Sequence, residues 1–262
     1  MSTGTHGSFV WYDLLTPDPE AAAAFYRDVV GWTTQPFPES GVAYTMFVGA
    51  QGPLAGTTKP EQAGVRAQWV ANVFVEDVDA SAALAAKLGG RVLAPPADYP
   101  PVGRLAVVAD PQGVPINLFK PSRPMELHDA TRPGELTWSE LMTSDHEAAF
   151  AYYSRLFGWK KLRDFDLGDM GSYLIYGQGR GPDDRELGGM FSQAADAPAP
   201  PTWIYYIQVA DLDAAVARAK SGGGALMNGP MEVPGGARIA QLTDPQGAVF
   251  ALHENAQPKA VA

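Results

Sequence analysis

The sequence predicts an α+β protein built from four βαβββ modules, which pair into two curved eight-stranded sheets with the helices outside. Three observations predict it. Trp11, Asp18, Glu20, Ala21, Ala22, Tyr26, Gly31 and Trp32 recur 127 residues later as Trp138, Asp145, Glu147, Ala148, Ala149, Tyr153, Gly158 and Trp159. Trp69, Asp77, Asp79, Gly89, Gly90, Arg104 and the run Asp110-Pro111-Gln112-Gly113 recur 134 residues later as Trp203, Asp211, Asp213, Gly223, Gly224, Arg238 and Asp244-Pro245-Gln246-Gly247. Each stretch also repeats one order of elements: an apolar strand, an Ala-rich helix, then further strands. The chain is a tandem duplication of pattern A-B-A-B, so function has to be read half by half.

Phe9 to Leu15 is apolar and aromatic and ends at Thr16-Pro17, the pattern of a strand. Asp18 is placed to cap a helix with Pro19 at its first position, and Gly31 is placed to stop it. Trp32 to Phe37 begins a second strand, Tyr44 to Gly49 is a third, and Pro53 to Thr58 holds a turn and a short fourth. In the next module Trp69 to Val75 is a strand, Asp79 to Leu88 a helix and Gly89-Gly90 its stop. Arg91 to Ala94, Arg104 to Ala109 and Val114 to Phe119 are strands, the last two joined by the Asp-Pro-Gln-Gly turn. The second half repeats this plan over 134–193 and 200–256. Pro121 to Pro133, with three prolines, reads as the linker between a first domain (1–125, modules 8–62 and 66–121) and a second (126–262). Residues 194–201 read as a loop. Short connections favour pairing of consecutive modules.

Composition narrows the function. The chain has 262 residues, 46% hydrophobic and 18% charged, which fits folded domains and not a disordered chain. A net charge of −10 argues against nucleic acid and against an anionic membrane surface. The absence of cysteine removes disulfides, thiolate chemistry and Cys-ligated zinc. No apolar run approaches a membrane span, and Met1 to Ser8 lacks a signal-peptide core. A cytoplasmic location and a monomer or weak homodimer are the expectations.

The module order, the segments Phe25-Tyr26…Gly31-Trp32 and Tyr152-Tyr153…Gly158-Trp159, and the two Asp-Pro-Gln-Gly turns resemble the vicinal oxygen chelate superfamily. That group includes glyoxalase I, extradiol dioxygenases, fosfomycin-resistance enzymes and bleomycin-binding proteins. The openings Trp11-Tyr12-Asp13-Leu14 and Trp138-Ser139-Glu140-Leu141 are more narrowly similar to two-domain glyoxalase-like proteins classed as hydroxylases or secreted antigens. The resemblance implies metal ligands seven residues before each helix-capping Asp, and a Glu seven residues after the Asp of the turn. Those positions read Trp11, Val70, Trp138, Ile204, Asn117 and Ala251, and the two shorter final strands offer Gly with Thr or Met near Gly56 and Gly188. None of these suits a transition metal, so neither a metal nor another cofactor is expected.

Alternation along the strands places Trp11, Asp13, Asn72 and Asn117 in a first cleft, and Trp138, Glu140, Tyr206, Gln208 and His253 in a second. These aromatic, sparsely polar sets suit a flat organic molecule with polar edges. Trp11 and Trp138 equally suit core fillers. Asp13 and Glu140 suit either ligand acceptors or salt bridges to the recurring Arg104 and Arg238. Tyr44 and Tyr173 either line the pockets or pack. Glu140 and His253 are the candidate catalytic pair, in which the carboxylate would raise the imidazole pKa; a structural His253 is the alternative. His6, His128 and His146 carry no assigned chemistry. The leading expectation is metal-independent binding of an aromatic or carbonyl-bearing small molecule. Lyase, isomerase or hydroxylase activity of the superfamily type, and a purely structural protein with filled clefts, are the alternatives.

Overall fold

The computed structural model describes residues 3–256 except 63, 169–170, 180–184, 195 and 197–198. Module one comprises β1 (Phe9–Leu15), α1 (Pro19–Val30), β2 (Thr33–Pro36), β3 (Tyr44–Gly49) and β4 (Gly52–Thr58). Module two comprises β5 (Gln68–Phe74), α2 (Val78–Lys87), β6 (Arg91–Tyr99), β7 (Gly103–Ala109) and β8 (Pro115–Pro121). Module three comprises β9 (Leu136–Thr143), α3 (His146–Phe157), β10 (Lys160–Asp166), β11 (Ser172–Gln178) and β12 (Arg185–Ser192). Module four comprises β13 (Thr202–Gln208), α4 (Leu212–Ser221), β14 (Ala225–Glu232), β15 (Arg238–Thr243) and β16 (Val249–Glu254). The hydrogen-bonded strand orders are β2-β3-β4-β1-β5-β8-β7-β6 and β10-β11-β12-β9-β13-β16-β15-β14. Consecutive modules thus share a sheet, as the sequence predicts.

The recurring residues have local reasons. Asp18, Asp77, Asp145 and Asp211 each accept a hydrogen bond from the backbone N–H three residues on, at 2.9–3.0 Å, and so cap the four helices. Gly31 and Gly158 end α1 and α3 in the left-handed region, at φ 85° and 72°. Asp110 Oδ1 accepts from the N–H of Gln112 and of Val114, and Asp244 Oδ1 from Gln246 and Ala248, which closes both Asp-Pro-Gln-Gly turns.

Two expectations change. Strand β6 runs on from Ala94 to Tyr99, because register shifts against β7 absorb Pro95-Pro96 on a sheet edge where missing N–H donors are tolerated. The 121–133 linker is tied down at its start: Thr3 bridges Glu126, and Gly4 N–H donates to Met125 O at 2.9 Å.

The chain gathers into two compact units, each drawing on both sequence halves: residues 1–12, 70–127 and 138–204 form the first, and 13–69, 128–137 and 205–262 the second. In the first unit Trp203 Nε1 donates to Tyr153 Oη (3.3 Å), which donates to Asp110 Oδ2 (3.1 Å). In the second, Trp69 Nε1 donates to Tyr26 Oη (2.9 Å), which donates to Asp244 Oδ2 (3.3 Å). Each chain of donors is fully enclosed in aromatic packing; burial raises the pKa of both tyrosines and both aspartates above their ordinary values. The aromatic-Tyr motif of one module and the Asp-Pro-Gln-Gly motif of another are therefore two ends of one buried contact. Trp159 Nε1 donates to Gly7 O (2.8 Å) in the first unit and Trp32 Nε1 to Gly134 O (2.7 Å) in the second, which accounts for the Gly-Trp pairs.

Candidate functional site

In the first unit, strand alternation puts Trp138 and Glu140 on one face of β9. Glu140 stands opposite Gly189 of β12, and Gly189 opposite Ile175 of β11. Tyr173, two residues before Ile175, shares that face. Its ring lies across the strand at Gly189, where any Cβ would fall onto the ring atoms. This crossing lets the Tyr173 hydroxyl donate to Glu140 Oε2 at 2.8 Å, while Trp138 Nε1 donates to the same hydroxyl oxygen at 2.9 Å. Phe191 stacks on Tyr173 with centroids 6.1 Å apart and planes at 21°. Phe165 faces Tyr173 across the β10–β11 pair, and the Arg163 guanidinium sits 5.1 Å from its centroid. Glu140 is 6% exposed; Trp138, Tyr173 and Phe191 are half-buried, so the aromatic face is reachable.

The second unit carries the same device. Tyr44 of β3 crosses Gly56 of β4, which stands opposite Met46, and donates to Asp13 Oδ1 of β1 at 2.5 Å. Tyr44 and Tyr173 are more than packing residues: each holds the carboxylate that recurs on the first strand of its half. Sequence reading takes Gly56 only as a position that cannot ligate a metal and passes over Gly189, although a glycine inside a strand is a signal of close approach. Gly188 marks a second such crossing, where Tyr176 donates to Ser139 O at 2.9 Å.

Modules two and four differ from each other. In the first unit Asn72 and Asn117 face each other on β5 and β8, and Asn117 Nδ2 donates to Asn72 Oδ1 at 3.3 Å; Phe74 and Phe119 form the next pair. In the second unit the corresponding pairs are Tyr206 with Ala251 and Gln208 with His253. Gln241 Nε2 donates to Tyr206 Oη at 2.9 Å, and His253 Nδ1 lies 2.5 Å from Gln208 Oε1.

Three expectations are corrected here. Arg104 pairs with Asp79 (2.6 Å) on α2 and Asp98 (3.1 Å) on β6, and Arg238 with Asp213 (2.9 Å) on α4 and Glu254 (3.2 Å) at the end of β16, in place of Asp13 and Glu140. His253 pairs with Gln208, and Glu140 accepts from Tyr173; the two do not form a pair. The His253 pKa moves down from its ordinary 6.5, because burial penalises the imidazolium, and not up as a carboxylate partner would move it. Trp11 lies half-buried on β1. His6, His128 and His146 hydrogen-bond to Leu156 O, Glu135 and Ser192.

Two family models match the chain: the one described as Glyoxalase-like domain over residues 10–119, and the one described as Glyoxalase/Bleomycin resistance protein/Dioxygenase superfamily over 135–252. CFP32 of Mycobacterium bovis, provisionally named a glyoxylase, is 31% identical over 247 residues, 92% of each chain. DnrV of Streptomyces peucetius, an anthracycline biosynthesis protein, is 32% identical over 272 residues, 97% of this chain and 95% of that one. Among solved structures, the Mn(II)-bound glyoxalase from Novosphingobium aromaticivorans shares the fold with a TM-score of 0.63 and 19% identity, over 98% of this chain and 84% of that one. With the tandem βαβββ modules and both domain models in the same order, the chain belongs to the glyoxalase/bleomycin resistance protein/dioxygenase superfamily as a two-domain member.

Proposed function

We propose that the protein binds a flat, hydroxylated or carbonyl-bearing aromatic molecule on the face of Trp138, Glu140, Tyr173 and Phe191. The observation that carries this is the Trp138–Tyr173–Glu140 hydrogen-bond chain, which holds a nearly buried carboxylate at a fixed place on a reachable aromatic face. A carboxylate has lone pairs for up to about four hydrogen bonds. Rings supply stacking surface, and Glu140 accepts from a ligand hydroxyl. The likeness to an anthracycline biosynthesis protein supports this class, since anthracyclines are fused-ring molecules with phenol and quinone groups. The Asp13–Tyr44 pair gives the second unit a comparable, smaller acceptor.

The divalent metal of the Mn(II)-bound glyoxalase is not suited by the residues present here. Among the described residues no three His, Cys, Asp or Glu side chains come together, and both strand carboxylates, Asp13 and Glu140, take a tyrosine O–H, a donor group where a cation would stand. No step through a metal is derived. No described helix is long and apolar enough to cross a membrane.

The test is titration with 2-hydroxyanthraquinone, followed by tryptophan fluorescence. Saturable quenching is expected, with affinity about tenfold weaker in Glu140→Gln, the size of one lost hydrogen bond to a charged group. Absence of saturable binding, or affinity unchanged in both Glu140→Gln and Trp138→Phe, would overturn the assignment.

A further inference from the structure

In the second unit, His253 is held in one tautomer. The Gln208 side chain is buried at 3% exposure, and its Nε2 points to Val209 O at 3.4 Å, which leaves Oε1 as the acceptor facing the imidazole. His253 Nδ1, 2.5 Å away, must therefore carry the hydrogen. The backbone reinforces the pair: Val209 N–H donates to His253 O at 2.7 Å, and Gln208 and His253 stand in register on β13 and β16. The other ring nitrogen, Nε2, is then an unprotonated acceptor with no hydrogen-bond partner among the described residues. Ile239 stands opposite His253 on β15, and Ala251 lies two residues earlier on the same strand, between Tyr206 and Gln241. Module two, built on the same pattern, has Phe119 facing Phe74 at these positions and offers no acceptor.

We propose that His253 Nε2 is a second ligand-recognition point, a neutral acceptor that selects ligands bearing a hydroxyl over those with an ether or hydrogen at that position. The claim rests on the small-aromatic binding function above and concerns the second unit taken by itself. Such an acceptor penalises a ligand that covers it without donating to it, because burying the nitrogen without a partner costs the desolvation of that group. A site built to hydrogen-bond a hydroxyl therefore rejects the analogue lacking it more strongly than an apolar pocket rejects an added methyl. Burial, which disfavours the imidazolium, keeps the ring an acceptor around neutral pH.

The experiment compares 2-hydroxyanthraquinone, 2-methoxyanthraquinone and unsubstituted anthraquinone on Glu140→Gln, which removes the carboxylate acceptor of the first unit, and on Glu140→Gln/His253→Phe, whose second change copies Phe119. Glu140→Gln is expected to bind the hydroxyl compound at least about tenfold more tightly than either of the others, and the double variant to bind all three within about twofold. The unsubstituted compound separates hydrogen bonding from the bulk of the methyl group. Ring ¹⁵N chemical shifts of His253 on the protein alone should show Nδ1 protonated and Nε2 bare at pH 7. The proposal is overturned if Glu140→Gln binds the three equally, if the double variant keeps the discrimination, or if Nε2 carries the proton. Equal binding of all three by Glu140→Gln leaves the small-aromatic reading standing, whereas no binding of any by the native chain removes both.

Discussion

Adding one methyl group at Gly189 is expected to cost the fold about 3 kcal/mol, even though alanine is ordinarily favoured over glycine within a strand. Gly189 is not among the glycines with positive φ, so alanine fits its backbone, and the lost freedom of the unfolded chain alone would stabilise by about 0.4–1 kcal/mol. Against this, the new Cβ lands on the Tyr173 ring. Moving a half-buried ring off its position costs about 1–3 kcal/mol in displaced packing. Breaking the 2.8 Å bond from Tyr173 to Glu140 adds about 1.5–3 kcal/mol, the range for a hydrogen bond to a charged group. The assay is urea unfolding of the native chain, Gly189→Ala, Tyr173→Ala and the double variant. For a denaturant slope of ~3 kcal/mol/M, the single glycine change lowers the midpoint by roughly 1 M. In the Tyr173→Ala background the same change should cost less than about 1 kcal/mol, because the ring it strikes is gone. Equal costs in the two backgrounds would refute the crossing of Tyr173 over Gly189 as the reason for the glycine.

Three further outcomes are expected. Tyr152→Phe should raise stability by about 1 kcal/mol, read by the same urea midpoint, since the Tyr152 hydroxyl is buried without a partner and the repeat has Phe25 there; a loss of stability would contradict this. Gln112→Ala should cost about 2 kcal/mol and Gln246→Ala well under half of that. Gln112 Oε1 accepts from Thr143 Oγ1 (2.7 Å), Ser144 Oγ and Asp145 N–H (2.7 Å), and its Nε2 donates to Asp145 O (2.7 Å); Gln246 Oε1 is buried with no partner. Equal costs for the two glutamines would be the contrary result. The pH dependence of His253 has a definite sign. Its folded pKa lies below the ordinary 6.5, so the unfolded chain takes up the proton first as pH falls, and the stability present above 6.5 is lost on the way down through the folded value. His253→Phe should therefore lose less stability than the native chain between about pH 7.5 and 5.5, and an identical loss in both would show that burial does not shift this residue.

The sequence by itself determined the local grammar of this protein. Asp18, Asp77, Asp145 and Asp211 cap helices, Gly31 and Gly158 stop them, and Asp110 and Asp244 close tight turns, because each effect acts over three or four residues and is written in the residues that make it. The duplication itself is equally local, a matter of counting offsets. The Asp13 and Glu140 positions were legible as unusual for the same reason: a carboxylate on an apolar strand needs a partner. The identity of the partner was not legible. Arg104 and Arg238 recur at the constant offset of 134, Tyr44 and Tyr173 only at 129, off the 127 of their modules, and charge also favours the arginines. Strand register decides otherwise, by bringing each tyrosine diagonally across a glycine to the carboxylate and sending each arginine to the helix-capping turn, at Asp79 and Asp213. The same holds for His253, whose partner was set by the parallel pairing of β13 with β16, and for Tyr26 and Tyr153, whose aspartates lie 218 and 43 residues away in other modules. Side-chain type and spacing name which groups need a partner, and only the packing of strands and helices selects which of the chemically equivalent candidates arrives within hydrogen-bonding distance.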